Sequence, residues 1–121
     1  MNKALKRRMS IYYSRLFYSV YLLYQLKSEP ENVRLRYCSF ATLTTYEITL
    51  QEQRYQIVRT GILHSNNSIQ KELERLIVAI KELTSGLMKV SVGDIFRVFR
   101  EGHEENYFID SVGLKKLETF D

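Results

Sequence analysis

Few side chains in this sequence can do catalytic or metal chemistry, and their spacing decides among the uses. There is one cysteine, Cys38, and there are two histidines, His64 and His103. A single thiol rules out an internal disulfide framework and a cysteine-based zinc site. Two histidines argue against a histidine-rich metal centre. His103-Glu104-Glu105 lacks the second histidine that a zinc-protease helix needs two positions later. The glycines at 61, 86, 93, 102 and 113 are isolated, so no Gly-rich phosphate loop exists. Cys38 lies between Tyr37 and Phe40, which favours a small buried thiol over a nucleophile. No metal and no cofactor is expected.

One spacing suggests a reaction. Arg59-Thr60-Gly61-Ile62-Leu63-His64 has the form R-x4-H. It resembles the R-x(4–6)-H element of HEPN ribonucleases, which are all-helical and work as dimers. The resemblance implies that Arg59 holds the scissile phosphate and His64 acts as acid or base. Histidine suits that role because its pKa lies near neutrality. The plain alternative is a solvated helix end, where a cationic histidine favours the C-terminal dipole.

Charge points to a second use. Lys plus Arg number 18 and Asp plus Glu 14. Residues 1–28 carry Lys3, Lys6, Arg7, Arg8, Arg15 and Lys27 and no acid, while the other 93 residues hold 12 bases and 14 acids. A basic end attracts phosphate or an acidic protein. Tyr12 and Tyr13 interleave with these bases, and Arg34 and Arg36 follow Pro30. Tyrosine stacks on unpaired bases, so Lys3, Lys6, Arg7, Arg8, Arg15, Arg34 and Arg36 are the candidate contacts to nucleic acid or an acidic partner. No recognition-helix motif appears, so such binding would be non-specific and salt-sensitive.

The basic start is not a membrane span. Its apolar stretch, Leu16 to Leu26, is broken by Ser19 and Gln25. A spanning helix needs roughly 20 apolar residues. The exit Lys27-Ser28-Glu29-Pro30 has no small-x-small cleavage site. A cytoplasmic protein with reduced Cys38 is expected, with a mitochondrial presequence as the alternative for the N-terminal segment.

The elements that would position these groups read as helical. The chain has 121 residues, 45% hydrophobic and 26% charged, which fits one globular domain spanning 1–121. Leu5, Met9, Tyr12, Leu16, Val20 and Leu23 predict a basic N-terminal helix over 2–27, apolar on several faces. Residues 33–49 are ambiguous: Val33, Tyr37, Phe40, Thr44 and Ile48 favour helix, and the β-branched content favours strand. Thr49 with Glu52 reads as a capping box opening a helix through Tyr55, Val58 and Ile62. Ser65-Asn66-Asn67-Ser68 reads as a loop. Ile69, Leu73, Leu76, Ile80, Leu83 and Leu87 then form the a/d seam of a coiled coil. Ser91 with Asp94 predicts a helix carrying Ile95, Phe96, Val98 and Phe99. Tyr107-Phe108-Ile109 reads as an extended piece, and a last short helix carries Leu114 and Leu117.

The expected fold is therefore mainly α: a small bundle of four or five helices with a coiled-coil-like helix 69–87, and short strands admitted near 33–48 and 106–110. The expected role is a non-catalytic assembly or adaptor protein, self-associating as a homo-oligomer through Ile69, Leu73, Leu76, Ile80, Leu83 and Leu87. Each buried Leu or Ile contributes roughly 1.5–3 kcal/mol, so a stripe in surplus of the core seeks a partner. The alternatives are a non-specific nucleic-acid-binding protein and a HEPN-like ribonuclease.

Overall fold

Residues Tyr18–Leu26, expected to be helical, form a strand. The computed structural model describes residues 18–64, 68–83 and 90–121. Its centre is a five-stranded antiparallel sheet, which overturns the expected helical bundle. Strand β1 is Tyr18–Leu26, β2 Tyr55–His64, β3 Ile95–Arg100, β4 His103–Ile109 and β5 Leu114–Leu117. Their spatial order is β2-β1-β3-β4-β5. Two helices accompany them, α1 (Phe40–Thr45) and α2 (Ile69–Leu83). Among the described residues no helix is long and apolar enough to cross a membrane.

The sheet is covered on both faces, and this explains why its strands read as helices. On one face Tyr21, Leu23, Phe96, Val98, Tyr107 and Ile109 pack with Ile69, Leu73 and Ile80 of α2. On the other, Val20, Leu22, Tyr24, Ile95, Phe99 and Phe108 meet Leu43, Leu50, Tyr55 and Phe120. Strands buried on both faces lose the alternation of apolar and polar residues. Such a run also satisfies a helical spacing by chance. The expected helix 2–27 is thus β1 from Tyr18 onward. Likewise the helix expected from Thr49 is a 3-10 turn, Glu52–Arg54, followed by β2. Ser91 and Asp94 open β3 rather than a helix, and Leu114 and Leu117 lie in β5. The extended piece Tyr107–Ile109 lies in β4.

Helix α2 occupies part of the range expected to be coiled-coil-like. The coiled-coil reading of its stripe is overturned, because the sheet covers it: Ile69, Leu73 and Ile80 are buried against the sheet, and Leu76 and Ile77 pack against that cluster. Ser68 Oγ accepts from Lys71 N at its start (3.2 Å). Leu87, the loop residues Ser65, Asn66 and Asn67, and the bases Lys3, Lys6, Arg7, Arg8 and Arg15 lie outside the described residues.

Segment 27–54 crosses the second face of the sheet. Pro30 opens a 3-10 turn, Pro30–Asn32, as a proline early in a helical turn can. Only Phe40–Thr45 is α-helical, with Ser39 as N-cap accepting from Thr42 N at 3.2 Å. The strand admitted near 33–48 is not formed. Asn32, fully buried, ties the start of the crossover down: its amide donates to the carbonyls of Lys27 (3.0 Å) and Arg54 (3.3 Å).

Candidate functional site

Among the described residues two polar groups are built around a buried charge, and they differ in how completely they are satisfied. The first surrounds Arg97, 2% exposed, in the middle of β3. The register sets it between Leu22 of β1 and Asn106 of β4. Its Nε donates to Asn106 Oδ1 at 2.9 Å, its Nη1 to the Tyr24 hydroxyl at 3.2 Å, and its Nη2 to the carbonyl of Phe120. Glu52 Oε1 lies 3.0 Å from Nη1, and Glu104 Oε1 3.3 Å from Nε. The guanidinium also sits over the rings of Tyr24 and Phe120. Burial pushes the pKa of the Tyr24 hydroxyl well above its ordinary value, against the pull of Arg97. Each charge here has a partner, so this group binds the crossover and the tail 118–121 to the sheet.

The second group lies at one end of the sheet, where a cleft of about 180 Å3 is lined by Gln25, Arg36, Tyr37, Gln56, Ser91 and Asp94, among others. Gln56 of β2 pairs with Gln25 of β1. Asp94 directly precedes β3, so three neighbouring strand ends set Gln56, Gln25 and Asp94 side by side. Asp94 is 6% exposed. Its Oδ2 accepts from Gln25 Nε2 (2.9 Å) and from Ser91 N (2.8 Å). Burial pushes its pKa up to about 6, against those two hydrogen bonds and the attraction of Arg36. A perturbed carboxyl in a cleft with few convergent polar groups has the character of a binding site. Tyr37 closes the rim with a backbone φ of 66°, in the left-handed region that a tyrosine occupies at a cost.

The residues singled out from sequence are not brought together as expected. Arg59 and His64 both lie on β2, where five strand positions set them roughly 17 Å apart rather than a turn and a half along a helix. Arg59 Nε donates to the Tyr21 hydroxyl at 3.1 Å. The all-helical fold that the R-x4-H resemblance implied is not the fold of this chain. Cys38 is half-buried and donates to the carbonyl of Arg34 at 2.9 Å. His103 is exposed at the start of β4. Among the described residues no group of three His, Cys, Asp or Glu could hold a metal ion.

Arg34 and Arg36 are both exposed but part company. Arg34 flanks a surface groove with Pro30 and Glu31, and Arg36 lines the cleft over Asp94. Sequence reasoning missed the cleft because Asp94 reads as a helix-start acid and Gln25 as an interruption in an apolar run. The signal available was the pairing of Ser91 with Asp94, which does form a side-chain cap, but on a turn entering a strand.

No curated protein and no solved structure matches the chain. The profile of the YodL-like domain matches residues 20–120, from β1 to Phe120 of the tail, and the chain therefore belongs to the YodL-like domain family.

Proposed function

We propose that this chain is a non-catalytic assembly domain that self-associates through the crossover 30–48. The observation that carries this is the display of Tyr37, which is 67% exposed while its backbone is held at φ 66°. A left-handed tyrosine costs about 1–2 kcal/mol, and a ring in solvent returns little of it. Strain of this kind persists at sites that bind. Val33 (68% exposed), Tyr46 (73%) and Ile48 (37%) share the crossover, so half of the large apolar side chains exposed among the described residues fall on it. Exposed Glu31, Arg34 and Glu47 supply both signs of charge, which lets one patch complement its own copy about a two-fold axis.

This reading keeps the assembly role and moves its surface away from α2, whose stripe the sheet covers. It places the protein in the cytoplasm, with Cys38 reduced. Sedimentation velocity of the double variant Val33→Ser/Tyr37→Ser tests the surface. A monomer where the native chain dimerises supports it, and an unchanged dimer overturns it. A second reading rests on Arg34 and Tyr37, exposed on one loop, as a phosphate contact and a stacking ring for single-stranded nucleic acid. An acidic protein segment would meet the same Arg34.

A further inference from the structure

The cleft at the end of β2, β1 and β3 holds one charge of each sign. Asp94 is its acid and Arg36 its base. The two attract each other, yet they form no ion pair within 4.0 Å. Asp94 Oδ2 is committed to Gln25 and Ser91. Its Oδ1 has no hydrogen-bond partner among the described residues and is not sealed from solvent. A carboxylate that is nine-tenths buried with one free oxygen is an acceptor prepared for a charged donor. The arginine fork across the cleft is a donor prepared for a carboxylate or phosphate.

We infer that this cleft binds a small zwitterion of the α-amino acid class, its ammonium on Asp94 Oδ1 and its carboxylate on the Arg36 guanidinium. A ligand with one charge of each sign gives both lining residues a partner of opposite charge. An anion alone would face the Asp94 carboxylate, and a cation alone would leave Arg36 where it is. Gln56, paired with Gln25 across the strands, adds a further amide to the wall. Val92 and Leu26 give the cleft an apolar side, and its volume of about 180 Å3 suits a short side chain. The cleft shares Tyr37 with the proposed contact surface, but its two charged groups, Asp94 and Arg36, are not among the residues proposed for self-association, so the titration and the sedimentation test can fail separately.

Isothermal titration with glycine, L-alanine, L-serine and L-valine tests the inference, with ethylamine and propionate as single-charge probes. The expected result is saturable binding of at least one amino acid, with neither single-charge probe binding within tenfold of it. Arg36→Gln, at an exposed side chain, and Asp94→Asn, nearly the same shape, should each weaken that binding at least tenfold. Circular dichroism confirms that both variants fold. No heat from any amino acid, equal binding of ethylamine, or unchanged binding in Arg36→Gln would each overturn it.

Discussion

Arg97, in the middle of β3, donates through Nη2 to the backbone carbonyl of Phe120, and Phe120 lies beneath its guanidinium. The same Phe120 ring meets Tyr24 and Tyr55 edge-on, each with centroids 5.2 Å apart. One cation therefore joins β1, β3, β4, the Glu52 turn and the tail. Removing it leaves Glu52, Asn106 and the Phe120 carbonyl without that donor. Deleting one partner of a buried charged group costs about 3–5 kcal/mol. Arg97→Ala should lower the urea unfolding free energy by that amount. A loss below about 1 kcal/mol would mean the group is solvated rather than structural.

Asp94 sets a pH dependence of stability. Its folded pKa is about 6, above the ordinary carboxylate value of 3.8. Its stabilising contribution is thus fully present below pH 4 and is lost as pH rises through 6. The shift corresponds to about 3 kcal/mol at its limit. Arg36 and the two hydrogen bonds on Oδ2 act in the opposite direction, and Tyr55 feels the same carboxylate. Thermal melts should show a fall in Tm from pH 4 to 7 that flattens in Asp94→Asn. An identical slope in the variant would place the titration elsewhere.

Gly61 and Tyr21 form a coupled pair. They are opposite each other across β1 and β2, and a Cβ on Gly61 would lie 2.5 Å from the Tyr21 ring. Gly61→Ala should therefore destabilise by about 1–3 kcal/mol. Tyr21→Ala removes the obstacle, so the double variant should lose less than the sum of the singles, by at least 0.5 kcal/mol or so. Strict additivity would contradict the contact.

Tyr37 and Glu101 are both held at positive φ, and only Tyr37 lies on the proposed contact surface. Their φ values are 66° and 49°. Glu101 with Gly102 makes the two-residue hairpin between β3 and β4, where two positive φ values match the strand twist. Glycine relieves either position. Tyr37→Gly and Glu101→Gly should each raise stability by up to about 1 kcal/mol. Only Tyr37→Gly should weaken self-association, read by sedimentation. Equal effects on association would remove the case for Tyr37 as a contact residue.

Sequence made one helix legible and concealed the sheet. Helix α2 has a polar face, Lys71, Glu74 and Lys81, so its period stands out. In β1, Val20 to Tyr24 are buried whichever way they point, so no two-residue alternation exists to be read. The available strand signal was composition, since Tyr, Val and Leu crowd β1, and Ile, Val and Phe crowd β3. Arg97 was concealed too. A lone arginine between Phe96 and Val98 reads as a solvated face, and its burial follows only once β1 and β4 flank it. In the cleft, Asp94, Gln25 and Gln56 are far apart in sequence and meet through strand register.

The most direct measurement is size-exclusion chromatography with light scattering over a dilution series, with and without a short single-stranded RNA. The expected species has twice 14.4 kDa, dissociates on dilution and ignores the RNA. A species of 14.4 kDa at every concentration would contradict self-association, and an RNA-dependent shift that fades with salt would put nucleic-acid binding in its place.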